Sequence, residues 1–237
     1  MKKLLSVLAV FATMFSAMAA QMPALPKADR SWEEISQNDS VLVHRKEVAN
    51  SDVVAFRGET TIDAPIAKVA NVLIDTSRKT EWVHKIVEAK NIREISPLER
   101  IEYNHTSSGF FAVRDRDFVF HARAELNKNA KQVIFTLHSV DDPLMPEKSP
   151  VRGHLDNSRY FLTSIDGGKK THVVVEIHAD PKGSVPKWLV NLFQKSWPAK
   201  TLNGIRAQCA KPNVVEHPGI KAYFETAQAE TSPGSLQ

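Results

Sequence analysis

The stretch Asp180 to Cys209, DPKGSVPKWLVNLFQKSWPAKTLNGIRAQC, decides the fold. It opens on a turn, because Pro181 fixes φ and Gly183 tolerates positive φ. Ser184 is placed to cap a helix and Pro186 to sit in its first turn, where a missing N–H costs nothing. Apolar residues then recur at helical spacing: Trp188, Leu189, Leu192, Phe193 and Trp197, followed by Leu202, Ile205 and Cys209. A helix over this span is roughly 36 Å long at ~1.5 Å per residue. Pro198 removes one backbone hydrogen bond and is expected to bend it. One long apolar-faced helix that follows many strands has to be wrapped by their sheet. The space between the two is where function is expected.

The preceding chain supplies those strands. Val41–Val48 and Val53–Ile62 read as a hairpin across Asn50-Ser51-Asp52. Pro65 starts a helix whose face is Ile66, Val69, Ala70, Leu73 and Ile74, and Asp75 to Val83 forms a second piece carrying Trp82. Strands follow at Lys85–Ile95, Glu99–Thr106, Arg116–Leu126, Lys131–Val140, Val151–Ile165 and Lys170–Ala179, with loops at Ser107–Asp115 and Asp141–Pro150. Ser31-Trp32-Glu33-Glu34 reads as a capping box opening a short helix to about Asn38. The order predicts an α+β fold: a curved antiparallel β-sheet with the long helix across its concave face.

Strand alternation assigns the faces. Phe118, Phe120, Ala122 and Ala124 share one side of their strand and are expected inward, with Val133, Phe135, Leu137, Val173, Val175 and Ile177. Ile101, Tyr103 and His105 are expected inward against Glu102 and Asn104. The strand from Val151 stays ambiguous: Leu155, Phe161 and Ile165 share a side with Asn157 and Arg159, while Tyr160 and Leu162 lie opposite.

Residues 1–19 read as a cleaved secretory signal, with Lys2-Lys3, an apolar run from Leu4 to Phe15, and Ala17-Met18-Ala19 for cleavage. An uncleaved N-terminal anchor is the alternative. Export to the periplasm or the medium is the expected localisation. Residues 20–30 form an extended lead-in, 31–210 one domain and 211–237 a Pro-, Ser- and Gln-rich tail, partly disordered. Losing Lys2 and Lys3 takes the formal charge from +4 to +2, a near-neutral balance that calls for no nucleic acid. Cys209 is the single cysteine, so the chain has no internal disulfide; it reads as a small apolar helix residue, with a reactive thiol as the alternative. A monomer without cofactor or metal is expected.

Four stretches carry a family likeness: Val54-Ala55-Phe56-Arg57-Gly58-Glu59 before Asp63-Ala64-Pro65; Asp75 followed by Trp82; Arg116-Asp117-Phe118-Val119; and Asp180-Pro181-Lys182-Gly183 through Asn191, with Pro198, Leu202 and Arg206 beyond. In this order and spacing the chain resembles the START family, the steroidogenic acute regulatory protein-related lipid transfer domains, as a bacterial exported member. The resemblance implies a helix-grip fold around a hydrophobic tunnel that binds one lipid or other apolar molecule.

The tunnel is then expected to be lined from the sheet by Ile101, Tyr103, Phe118, Phe120, Phe135, Leu137, Phe161 and Val175. From the helices come Trp82, Trp188, Leu192, Phe193 and Trp197, with plain core packing as the alternative for the tryptophans. The loop Ser107 to Asp115 corresponds to a gate, where Gly109, Phe110 and Phe111 either close over a ligand or touch a membrane transiently. Sterol-carrying members place an acidic residue and an arginine in the tunnel. Those positions count to Tyr103 and Ala122 here, which implies a more apolar ligand or anchoring elsewhere. Arg159 is the leading substitute anchor, a surface arginine being the alternative.

Arg114-Asp115-Arg116-Asp117 reads as a structural cluster at a strand entry. His172 and His178 are ~20 Å apart along a strand, too far for one metal. HExxH, GxSxG, P-loop and GxGxxG motifs are missing from the sequence. The expected function is non-catalytic lipid carriage. The alternatives are a ligand-responsive sensor and a cyclase-like enzyme using Tyr103, His105 and Arg159.

Overall fold

A computed structural model describes residues 28–231 apart from 39, 110, 112, 148–149 and 186, and leaves the side chains of 38, 187–189, 191–194 and 227–231 undescribed. The expected signal at 1–19 lies outside the described residues.

The chain begins as three antiparallel strands, β1 (Glu33–Asn38), β2 (Val41–Lys46) and β3 (Ala55–Ile62). Helix α1 (Ile66–Ile74) and a 3-10 turn (Thr76–Glu81) follow. Then come β4 (Ile86–Ser96), β5 (Glu99–Thr106), β6 (Arg116–Asn127) and β7 (Gln132–Ser139). The short β8 (Val151–Arg152) and β9 (His154–Leu155) lead into β10 (Ser158–Ile165), β11 (Lys170–Ile177) and β12 (Ala179–Asp180). Helices α2 (Lys187–Cys209) and α3 (Pro218–Thr231) close the described chain. The main sheet runs β1-β2-β3-β11-β10-β7-β6-β5-β4, with β8 added in parallel to β6. The expected α+β helix-grip architecture is present.

Helix α2 crosses the concave face at positions where the sequence makes room. A Cβ on Gly58 of β3 would lie 2.7 Å from the Pro198 side chain and 3.0 Å from Leu202. A Cβ on Gly204 would lie 2.2 Å from the Trp82 carbonyl oxygen. Glycine at both places lets the helix axis approach the sheet and the turn after α1. Leu202 and Ile205 are fully buried there with Val69, Ala70 and Val173, and Arg206 donates to Thr60 Oγ1 at 2.6 Å.

Two local expectations fail. Residues 33–38 form β1, not a helix. Asp29 takes both the N–H and the hydroxyl of Ser31, at 2.7 and 2.5 Å, so Ser31 caps nothing, and Glu33 pairs with Arg45 across the strands at 2.7 Å. Tertiary pairing outweighs a local cap worth about 1 kcal/mol. The long strand expected over Val151–Ile165 breaks into three. Gly153 packs where a Cβ would meet the Phe118 ring at 2.4 Å, and Asn157 takes a left-handed φ of 44°. That break resolves the ambiguous faces: Leu155 points inward before it, and Ser158, Tyr160 and Leu162 after it. Beyond the expected domain end at 210, the segment after Lys211 carries α3. Ile220 is fully buried, His217 N–H donates to Ala67 O at 3.0 Å, and Asn71 Nδ2 donates to Val215 O at 3.0 Å, so the segment docks on α1.

Candidate ligand cavity

A cavity of about 250 Å³ lies between the concave sheet and α2. Its apolar wall is Phe118, Phe120 and Ala122 of β6, Phe135 and Leu137 of β7, Leu155, Tyr160, and Val175 and Ile177 of β11. Trp82, Val190 and Trp197 face it from the helical side. Of the residues expected to line a tunnel, Trp82, Phe118, Phe120, Phe135, Leu137, Val175 and Trp197 stand at this cavity. The backbone of α2 passes through Trp188, Leu192 and Phe193, whose side chains lie outside what is described.

Four expected lining residues point the other way. On β5 the inward set is Arg100, Glu102, Asn104 and Thr106, so Ile101 and Tyr103 face the outer side. Tyr103 is buried there under the Lys90 ammonium, which stands 5.9 Å from the ring centroid, and burial followed by the charge of Asp117 raises its phenol pKa. On β10, Arg159 is exposed and Phe161 faces outward beside it, because the break at Asn157 reverses the alternation. Arg159 is no anchor. The enzyme candidates disperse with it: Tyr103 and Arg159 face outward, and His105 Nε2 sits 3.0 Å from Asp115 Oδ2 at the loop base.

The reversal on β5 follows from charge. Glu102, fully buried, receives the Arg100 guanidinium at 2.5 Å and the Thr76 hydroxyl at 3.0 Å on Oε1, and the Lys79 ammonium on Oε2. Arg100 also donates to Leu73 O at 3.1 Å. Burial alone would raise the Glu102 pKa, but Lys79 and Arg100 overcome it and hold the carboxyl below its ordinary range. Burial lowers the Lys79 pKa against the pull of Glu102. Residues that look solvated in an alternating strand thus turn inward because they compensate one another. The inward face of β5 thus carries an acid and an arginine, of which Arg100 lines the cavity, contrary to the count that fell on Tyr103 and Ala122. The only sequence signal was Lys79, three residues before Trp82, and nothing local paired it with β5.

At the other end of β5 the cavity reaches the loop 107–115 and the turn 181–185. Asp115 Oδ1 accepts the Ser108 N–H at 2.9 Å, and Ser108 Oγ donates to Val113 O at 2.5 Å. That N–H lowers the Asp115 pKa, and the His105 contact adds to it against the effect of burial. Lys85 Nζ donates to Ser108 O at 2.7 Å. Arg116 donates to Pro181 O and Lys182 O at 3.1 Å each and to Arg114 O, tying the strand entry to the turn before α2. The structural reading of that charge cluster is the observed one. Gly109 has a left-handed φ of 72° and Phe111 is fully exposed at the loop tip, while Phe110 lies outside the described residues. Cys209 is buried, with its thiol pushed up to about 11 by burial. Among the described residues no helix is long and apolar enough to cross a membrane.

A curved antiparallel sheet gripping a long helix around an apolar cavity defines a helix-grip ligand-binding protein. Residues 13–213 match the START domain, and the chain belongs to that family. An uncharacterized protein of Pseudomonas aeruginosa is 28% identical over 181 residues, covering 76% of this chain and 87% of its own. Mouse phosphatidylcholine transfer protein is 24% identical over 191 residues, covering 78% and 82%. Among solved structures, human STARD10 superposes with a TM-score of 0.71 at 20% identity, covering 87% of this chain and 84% of that one. A fragment of the STAR-related lipid transfer protein of Xanthomonas axonopodis does so with 0.67 at 23%, covering 76% and 99%. Helix α3 lies beyond the matched residues.

Proposed function

We propose that the protein binds one lipid or other apolar molecule in the cavity and carries it between membranes without chemical turnover. The single observation that carries this is the apolar cavity between β6, β7, β10, β11 and α2. A lipid in water exposes apolar surface worth about 25 cal/mol per Å², and a dry wall of phenylalanine, leucine and valine removes that cost during transit. The loop around Asp115 and the turn held by Arg116 form the exit, where Phe111 touches the membrane surface as ligand exchanges. The N-terminal signal would deliver the carrier, as a monomer, to the periplasm or the medium. The relatives named for lipid transfer support the same reading.

The test is organic extraction of the purified mature protein followed by mass spectrometry. The expected result is one lipid class near one equivalent per chain. An empty extract, together with failure to take up any lipid from mixed vesicles, would overturn the proposal.

A further inference from the structure

The 3-10 turn and the residues just after it stand beside β5 and the start of the following loop. At the inner end Lys79 meets Glu102, as described above. At the outer end Lys85 meets the Ser108 carbonyl at 2.7 Å, just past the end of β5. Between them stand Trp82, whose N–H continues the turn to Lys79 O at 3.2 Å, and Asn104, two residues beyond Glu102 on the same face. Both line the cavity.

This middle position is unfilled. The indole Nε1 of Trp82 and the amide Oδ1 of Asn104 are each buried, and neither has a hydrogen-bond partner among the described residues. Trp82 is only 7% exposed. A buried polar atom left unpaired costs roughly 1–3 kcal/mol, which a folded chain tolerates when a ligand supplies the missing partner. One atom is a donor and the other an acceptor. A hydroxyl is the group that can serve either atom, accepting from the indole or donating to the amide oxygen.

We infer that the middle position, Trp82 with Asn104, is the polar anchor of the cavity and that the carried molecule is an apolar compound bearing a hydroxyl group. The inference rests on the carrier reading and adds the chemistry of the cargo. The Lys79–Glu102–Arg100 cluster satisfies itself and closes the inner end. Hydrocarbon lies along Phe118, Phe120 and Phe135, and the hydroxyl sits against Trp82 and Asn104.

The test is displacement of bound diphenylhexatriene by three probes of equal chain length: 1-hexadecanol, its methyl ether and palmitate. The alcohol should bind about tenfold more tightly than the ether, since the ether leaves Asn104 unpaired. Asn104→Leu should erase that ratio while leaving ether affinity and the unfolding temperature unchanged or raised. Trp82→Phe should weaken the alcohol more than a hydrocarbon of the same length. Equal affinity for alcohol and ether in the wild type overturns the anchor and leaves the carrier reading standing. Palmitate binding more than tenfold above the alcohol also overturns it, because the flanking lysines would then set the headgroup. Failure of every probe to displace the dye, with no lipid taken up from vesicles, overturns both readings.

Discussion

Replacing Glu102 by glutamine removes the one negative charge from a site holding two buried cations. Lys79 is 6% exposed and Arg100 5%, so neither can recruit water in place of the lost carboxylate. Leaving a buried charge without its partner costs about 3–5 kcal/mol. With a urea slope of about 3 kcal/mol/M, the midpoint should fall by about 1–2 M. Lys79→Met is the informative contrast. It removes the surplus cation and leaves Glu102 with Arg100 and Thr76, so the expected loss is only about 0–1 kcal/mol. Lys79→Met/Glu102→Gln brings the cluster back to its original net charge and should recover part of the single-mutant loss, a coupling measurable by a double-mutant cycle. The assay is equilibrium urea unfolding followed by tryptophan fluorescence. A Glu102→Gln loss below about 1 kcal/mol, or a Lys79→Met loss as large as that of Glu102→Gln, would refute the reasoning that charge compensation turns this face of β5 inward.

Three further outcomes follow from the geometry. Gly204→Ala should destabilise by about 1–3 kcal/mol in thermal unfolding despite the better helix propensity of alanine, because the new Cβ would meet the Trp82 carbonyl. Ala122→Phe places a ring in the cavity, so extractable ligand should fall about tenfold while circular dichroism stays that of the wild type. His217 Nδ1 accepts the Ile220 N–H at 3.2 Å, and burial followed by the charge of Arg100 holds its pKa below the ordinary value. The unfolded chain therefore binds the proton first as pH falls, and stability drops from about pH 6.5 downward until the folded value is passed. His217→Asn should flatten that slope in urea titrations run between neutral and mildly acidic pH, and an unchanged slope would count against the assignment.

Much of the fold was legible in the chain. Proline and glycine at Pro181 and Gly183, with helical apolar spacing through Ile205, marked α2 as a long helix arriving after a sheet. Alternation in β6, β7 and β11 marked Phe118, Phe120, Phe135, Leu137 and Val175 as inward, because in those strands apolar and buried coincide. It misled on β5, where Glu102 is inward and Tyr103 outward. Polarity reports burial only where a polar group has no buried partner, and Lys79, the partner of Glu102, arrives from 23 residues upstream. Capping chemistry likewise misled at Ser31, where the neighbouring strand decided.

What the sequence determined by itself was therefore the order of strands and helices and the apolar half of the cavity wall, since both follow from local periodicity and turn residues. The tertiary structure alone decided the polar half. Whether a charge or an amide turns inward depends on what stands across from it, and Glu102, Asn104 and Trp82 acquire their surroundings only when the 3-10 turn is laid against β5.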